Sequence, residues 1–267
     1  MRGNGYSATQ PIRIEFGTTP TIQWTSTYAQ GSFTTTFTLD TQPYGTTTII
    51  AHQDNIDITA YGTLSIQPNI IPVTPNSGTV GTIVTVRGNG YPATNLLRVE
   101  FRTTDSIQTT SSVIEGSFTT TFTIDTQPYA TTTITVYQGV IKASDTFFIL
   151  PNIILISPDH GTVGTIITLK GNGYSATQSI RIEFGTTPTI VMASTYAQGL
   201  FSTTWTINTQ PYGKTTIIAH QDDIKIKAYG TFAIESNIIL ISPKEGTVGT
   251  IITVKCNGFV ASKTIKL

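Results

Sequence analysis

The sequence has little charge, a single cysteine and no long hydrophobic run, and each shortage excludes a class of protein. Only 11% of the 267 residues are charged, and 15 Lys and Arg residues balance 15 Asp and Glu residues. A chain without a basic excess is not expected to bind nucleic acid, because such binding needs a basic face. One cysteine, Cys256, excludes an internal disulfide framework. The absence of a run of about 18 apolar residues predicts that no segment spans a membrane.

Residues that favour helices are also scarce, whereas β-branched residues are abundant. Leu, Ala, Glu and Lys are few, and 54 threonines make up about a fifth of the chain, with isoleucine the next most visible excess. Threonine and isoleucine are stiff at χ1 and fit the pleated surface of a sheet. The composition therefore predicts an all-β protein and argues against a helical one.

An internal repeat of about 84 residues accounts for this composition. The motif Arg-Gly-Asn-Gly-Tyr at Arg2 returns in related form at Arg87, Lys170 and Lys255, with spacings of 85, 83 and 85 residues. A unit of this length is too long for a solenoid repeat and suits a small sandwich domain. We divide the chain into a first repeat (1–66), a second repeat (67–150), a third repeat (151–235) and a tail (236–267).

Period-two alternation within the second repeat predicts strands with one buried face. The side chains expected to point inward are Leu97, Val99, Phe101, Phe118, Phe122, Ile124, Ile134, Val136, Phe147 and Ile149. About seven strands in about 84 residues is the strand count of an immunoglobulin-like sandwich. The second and third repeats are therefore predicted to be complete immunoglobulin-like domains. Tyr129, in a Pro-Tyr turn, is either the tyrosine corner of that fold or a packing aromatic.

The stretch from Ile154 to Tyr174 contains Ser157-Pro158, the run Gly-Thr-Val-Gly-Thr and the Gly-Asn-Gly-Tyr motif. This pattern resembles the IPT/TIG family of immunoglobulin-like domains, and the run from Gly116 to Phe122 resembles repeats of bacterial and archaeal surface proteins. The resemblance implies tandem immunoglobulin-like domains at a cell surface or outside the cell, with no particular activity. Family members in transcription factors contact DNA from loops, but this chain has no basic loop cluster, so that function is not expected here.

The frame of the repeat predicts how copies associate. The first repeat lacks the two strands that the second repeat has at 70–86, and tail residues 237–254 repeat them. Because an apolar strand pair alone in water is unstable, we expect the tail of one copy to complete the first repeat of the next by strand addition. Such a head-to-tail contact generates an open filament unless it closes a ring. The residues expected to dock are Ile238, Ile239, Ile241, Val248, Ile251, Ile252 and Val254.

Charge favours this pairing, while the length of the tail leaves alternatives open. The first repeat has two arginines against four acidic residues, and the tail has four lysines against one glutamate. Opposite charges favour head-to-tail encounter. Residues 255–267, however, repeat what 2–14 already supply. Either they displace the partner's N-terminus, or they lie elsewhere, or the chain is a piece of a multi-repeat surface adhesin or S-layer stalk that binds glycans.

No residue set predicts an enzyme, a metal or a cofactor. His52 and His220 occupy one repeat position rather than one site, and the pairs Asp54/Asp57 and Asp222/Asp223 are either solvated turn acids or a Ca²⁺ site without EF-hand spacing. Cys256 is either a neutral replacement or a covalent tie to another chain. Two tryptophans remain, listed with their expected roles: Trp205 in the core, and Trp24 as a candidate ligand contact, with a glycan platform, an inter-chain contact and a partly buried edge residue as its alternatives.

Overall fold

A computed structural model describes residues 1–102 and 104–266, and their regular structure consists of β-strands. The chain forms two compact units. Unit 1 comprises Met1–Asn76, Ile83–Phe122 and Thr132–Phe147, and unit 2 comprises Ser77–Thr82, Thr123–Thr131 and Phe148–Leu267. The first repeat lies in unit 1, the third repeat and the tail lie in unit 2, and the second repeat contributes to both.

The first repeat has one well-formed sheet and a very short second one. Its strands are β1 (Arg2–Gly3), β2 (Pro11–Phe16), β3 (Thr19–Ser26), β4 (Phe33–Thr34), β5 (Gly45–Gln53) and β6 (Ile58–Ile66). The larger sheet has the order β3-β2-β5-β6, and the smaller pairs only β1 with β4. The first repeat therefore has one sheet of normal size for a sandwich and a fragment of the other.

The second repeat has all the strands of a sandwich. They are β7 (Asn69–Thr74), β8 (Ser77–Thr79), β9 (Ile83–Asn89), β10 (Leu96–Phe101), β11 (Thr104–Ser111), β12 (Phe118–Thr123), β13 (Thr131–Gln138) and β14 (Ile141–Leu150). Within unit 1 the two sheets have the orders β11-β10-β13-β14 and β12-β9-β7. Within unit 2, Phe148–Leu150 at the end of β14 pair in parallel with Ser77–Thr79 of β8.

The third repeat has the same arrangement, and the tail adds a hairpin. The strands are β15 (Asn152–Ser157), β16 (His160–Thr162), β17 (Ile166–Asn172), β18 (Ser179–Phe184), β19 (Thr187–Ser194), β20 (Phe201–Thr206), β21 (Gly213–Gln221), β22 (Ile226–Glu235), β23 (Asn237–Ser242) and β24 (Thr253–Asn257). The sheet orders are β15-β17-β20 and β16-β22-β21-β18-β19, and the tail pairs only β23 with β24. Leu267, the last residue of the tail, lies outside the described residues.

The core confirms the alternation that the sequence predicts. All ten side chains expected to point inward in the second repeat are buried. In the third repeat one core cluster joins both sheets, and the rings of Phe184 and Trp205 meet between them at 5.9 Å. Trp205 is thus a core residue, as predicted. The protein is all-β and consists of tandem immunoglobulin-like sandwiches, of which the first has an incomplete second sheet.

The tyrosine of the Gly-Asn-Gly-Tyr motif supports each sandwich through its hydroxyl. Tyr91 donates to the carbonyl of Val136 at 3.1 Å and Tyr174 donates to the carbonyl of Ala219 at 3.2 Å. Burial raises the pKa of Tyr174 well above its usual range because the ionised form would be desolvated. Tyr129 is the packing aromatic of the two alternatives, because its ring lies edge-on against Phe148 at 5.0 Å.

Candidate docking site

A short segment, which we call the hook, closes one side of each complete sandwich. The hook is Ser77–Thr82 in the second repeat and His160–Thr165 in the third. Its first three residues pair in parallel with the last strand of the sandwich. In the third repeat the N–H of Gly164 donates to the carbonyl of Ile207 at 3.0 Å, and the N–H of Ile207 donates to Thr165 at 2.9 Å. Both backbone groups of Ile207 are therefore satisfied by the hook.

The first repeat leaves the corresponding surface open. Leu39 occupies the repeat position of Ile124 and Ile207, but it is 48% exposed where they are 1% and 2% exposed. Residues 35–39 form no strand, whereas β20 continues through Thr206, because the pairing strand is present only in the complete repeats. Strand β6 is likewise an edge strand, while its equivalent β22 is flanked by β16. A groove of about 510 Å³ results, lined by Leu39, Asp40, Thr41, Gln42, Ser65, Ile66, Gln67, Asn89 and Gly90.

The tail residues expected to dock are accessible. Six of them are exposed, namely Ile238, Ile239, Ile241, Val248, Ile251 and Ile252, and Val254 is half-buried. The tail strands are shorter than the segment predicted to donate, because residues 243–252 between β23 and β24 form no strand. Several large apolar side chains close together in sequence thus lie in water, which is unfavourable by about 25 cal/mol for each Å² of apolar surface left uncovered.

The tail also contains a third hook, at Glu245–Thr250, whose turn has the same form as the other two. The N–H of Thr250 donates to the carbonyl of Thr247 at 2.9 Å, as Thr165 donates to Thr162 at 3.0 Å. Gly249 has a φ of +93°, close to the +97° of Gly164, in the left-handed region that favours glycine. The hook of the tail therefore has the turn that a docked hook uses, although no strand of the described chain pairs with it.

Consecutive repeats dock through one recurring contact rather than through a flexible linker. The N–H of Tyr44 donates to the carbonyl of Tyr91 at 3.0 Å, and Tyr129 donates to Tyr174 at 3.0 Å. The tail docks in the same way, since the N–H of Tyr212 donates to the carbonyl of Phe259 at 3.1 Å. The described tail residues from 255 onward therefore lie against the third repeat, which selects "elsewhere" among the alternatives for this segment in the isolated chain.

Cys256 limits how far the tail can replace the first strand of a neighbouring copy. At this repeat position the complete repeats have glycine, and a Cβ on Gly171 would lie 2.4 Å from the ring of Phe201. A Cβ on Gly3 would meet the ring of Phe33 at 2.3 Å. Phe33 is buried and packs edge-on against Tyr6. Cys256 therefore cannot take the place of Gly3 unless Phe33 moves, so full replacement of 2–14 by the tail is sterically opposed.

Trp24 is 51% exposed on edge strand β3, directly opposite Arg13 in the register. Arg13 is the centre of a polar cluster: its guanidinium donates to both oxygens of Asp54, at 2.9 and 3.1 Å, and to Glu15. Nη2 of Arg13 lies 2.8 Å from Nδ1 of His52. The third repeat has an equivalent cluster at Arg181, Glu183, His220 and Asp222.

This cluster corrects the prediction that the loop acids are merely solvated. Hydrogen bonding to Arg13 lowers the pKa of Asp54, and hydrogen bonding to Arg181 lowers the pKa of Asp222. In the second repeat Arg98 instead packs over the ring of Tyr137, 5.2 Å from its centroid. The sequence missed this cluster because Arg13 and Asp54 are 41 residues apart, and the shared spacing of Arg181 and Asp222 was the only signal available.

Among residues 1–102 and 104–266, no group of three or more His, Cys, Asp or Glu side chains is arranged to hold a metal ion. Over the same residues, no helix has the length and apolar character needed to cross a membrane.

Comparison with solved structures finds multidomain ectodomains at low similarity. A D1–D4 ectodomain fragment of ICAM-5 aligns with 97% of this chain and 75% of its own length, at 12% identity and a TM-score of 0.26. Invasin, a bacterial integrin-binding protein, aligns with 88% of this chain and 55% of its own, at 16% identity and a TM-score of 0.24. The eight N-terminal immunoglobulin domains of Down syndrome cell adhesion molecule align with 95% and 37%, at 12% identity and a TM-score of 0.23.

No protein-family profile matches the chain, and no curated protein sequence matches it. The relation to IPT/TIG domains therefore remains a resemblance of motifs.

Proposed function

We propose that the chain is a non-catalytic structural segment of an extracellular or cell-surface array, built from immunoglobulin-like domains that dock without linkers. The observation that carries this proposal is the recurring joint, in which a tyrosine N–H donates to the carbonyl of the next repeat's motif aromatic at 3.0, 3.0 and 3.1 Å. A joint held by main-chain hydrogen bonds transmits force and orientation between domains, as a scaffold requires. The low charge and the IPT/TIG resemblance support a place outside the cell.

The proposal has a second part: copies associate head to tail, and the tail of one copy covers the open side of the first repeat of the next. The exposure of Leu39 and of the apolar tail residues supports this part, because association would remove both surfaces from water. Opposite net charge supports it too, with two Arg against four acids in the first repeat and four Lys against one Glu in the tail. Successive contacts of this kind produce a filament.

Sedimentation velocity over a range of concentrations tests the association. The full chain is expected to shift to larger species as its concentration rises, and a chain that ends at residue 235 is expected to remain a monomer. A matched control is Ile83→Ser, which removes an exposed apolar side chain of the second repeat and is expected to associate like the parent chain. Equal association of the truncated and full chains would overturn the head-to-tail proposal.

Matched glycine variants test the joint. Gly90 has a φ of +71°, and a Cβ there would lie 2.2 Å from the carbonyl oxygen of Gln67. Gly5, at the same repeat position, has a φ of +80° and open space around it. Gly90→Ala is therefore expected to broaden the spin-label distance distribution between the first and second repeats, whereas Gly5→Ala incurs only the backbone strain. An unchanged distribution in Gly90→Ala would contradict a joint that orients the domains.

A second candidate function is glycan binding on the outer face of the β3-β2-β5-β6 sheet. Register places Trp24, Arg13 and His52 in one row, and Tyr61 opposite Ile50 on the same face. Trp24 and Tyr61 are both exposed. Flat aromatic rings beside charged hydrogen-bonding groups offer a sugar both stacking and polar contacts. This arrangement favours a surface adhesin as the alternative to a purely structural segment.

A glycan array with two matched variants tests this candidate. Met192 occupies the position of Trp24 in the third repeat and is equally accessible, at 52% against 51% exposed. Trp24→Ala is expected to abolish binding to any glycan that the parent chain retains, and Met192→Ala is expected to leave it unchanged. Binding that survives Trp24→Ala, or the absence of any glycan signal for the parent chain, would reject this second function.

A further inference from the structure

We propose that the groove of the first repeat receives one particular segment, the hook Glu245–Thr250 from the tail of a second copy, while the acceptor keeps its own β1 in place. This inference rests on the head-to-tail part of the proposed function and names the contact that makes it.

The two complete repeats define what the groove binds. In each, a hook bridges the last strand of the sandwich and the residue at the position of Leu39. The walls of the groove in the first repeat are the same two elements, because Ser65–Gln67 correspond to Ala233–Glu235, and Leu39 corresponds to Ile207. The sequences of the three hooks differ only in their first residue, Ser77, His160 or Glu245. A hook that fits the second and third repeats therefore matches the first.

The hook of the tail is free to dock. Val248 is fully exposed, whereas its equivalent Val163 packs against the core of the third repeat. The turn at Gly249 already has the docked form, so docking would order few additional backbone angles. In the docked state, the N–H of Gly249 is expected to donate to the carbonyl of Leu39, and the N–H of Leu39 to the carbonyl of Thr250, as the corresponding groups do around Ile207.

Docking of the hook alone avoids the overlap between the tail and the acceptor's N-terminus. In the first repeat, Met1 exchanges backbone hydrogen bonds with Thr35 in both directions, at 2.8 and 3.0 Å, and β1 pairs with β4. A tail strand that continued past Val254 would need those positions, and Cys256 would collide with Phe33. The hook lies before Val254, on the side of the sandwich formed by β6. It therefore needs neither the release of β1 nor the movement of Phe33.

The third repeat also gives the register of the docked hook. There His160, Gly161 and Thr162 pair in parallel with Ala233, Ile234 and Glu235. The equivalent intermolecular pairs are Glu245 with Ser65, Gly246 with Ile66, and Thr247 with Gln67. Adjacent strands lie about 4.8 Å apart, which is within the Cα separation that a disulfide spans.

Disulfide trapping in the full chain tests this register. In a Cys256→Ser background, the pair Glu245→Cys and Ser65→Cys is expected to form disulfide-linked oligomers under mild oxidation at least tenfold faster than a control pair. The control is Glu245→Cys with Thr59→Cys, at the opposite end of β6. Equal rates for the two pairs would overturn the register.

A second pair of variants separates failure of this inference from failure of the proposed function. Val248→Asp is expected to weaken association at least tenfold, because docking would bury an unpaired charge. Ile239→Asp, on the exposed hairpin outside the hook, is expected to weaken it less than threefold. Association that persists in Val248→Asp overturns the hook but leaves head-to-tail assembly intact. A full chain that stays monomeric at every concentration overturns both.

Discussion

Leu39 and Ile207 occupy the same position of the repeat, yet Leu39 is 48% exposed and Ile207 is 2% exposed. The difference arises from what covers them, because the hook of the third repeat hydrogen-bonds the backbone of Ile207 and the first repeat has no hook in this sequence. This single contrast defines the open side of the first repeat, on which the assembly proposal depends.

Truncating these two side chains is expected to have unequal effects on stability. Ile207→Ala should lower the free energy of unfolding of the third repeat by about 2–5 kcal/mol, because it leaves a cavity in a packed core. Leu39→Ala should cost less than about 1 kcal/mol in the monomer, since its side chain is already half in water. Urea unfolding followed by the fluorescence of Trp205 for the third repeat and Trp24 for the first measures both. Similar losses in the two variants would contradict the exposure contrast.

A matched pair at the Gly171 position tests the packing that opposes full strand replacement. Gly171→Ala places a methyl group against the ring of Phe201 and is expected to destabilise the third repeat by about 1–3 kcal/mol. Cys256→Ala, at the equivalent position of the tail, is expected to leave the melting temperature unchanged. Thermal unfolding by circular dichroism compares them. A tolerated Gly171→Ala would show that the phenylalanine yields easily and would remove the steric objection to full replacement.

Acid should weaken the third repeat through Asp222. Its pKa is lowered in the folded state by hydrogen bonding to Arg181, so the carboxylate stabilises the fold above its unfolded pKa of about 3.9. That contribution is lost as the pH falls through the lower folded value. Asp222→Asn is expected to give a shallower fall in urea midpoint between pH 5 and pH 2, followed by Trp205 fluorescence. A fall as steep as that of the parent chain would rule out a stabilising role for this carboxylate.

The sequence predicted the sandwiches well because its signal is local. Alternation of Val99 and Phe101 with polar residues reports directly on which face is buried, and both are buried. The frame of the repeat likewise predicted the accessible apolar tail. It did not predict the hook, because Gly161 and Ile234 are paired by the fold and not by proximity in sequence. Nor did it predict that Asp54 binds Arg13, because a hairpin must first fold before its loop reaches a neighbouring strand.

The polarity of assembly is the central claim, and energy transfer between singly labelled copies tests it most directly. In a Cys256→Ser background, one copy is labelled at Thr63→Cys, on β6 beside the groove, and another at Ala261→Cys in the tail. Mixing a head-labelled donor with a tail-labelled acceptor is expected to give efficient transfer that rises with concentration. Head–head and tail–tail mixtures are expected to give much weaker transfer. Equal transfer in all three mixtures, or none in the head–tail mixture, would contradict the account.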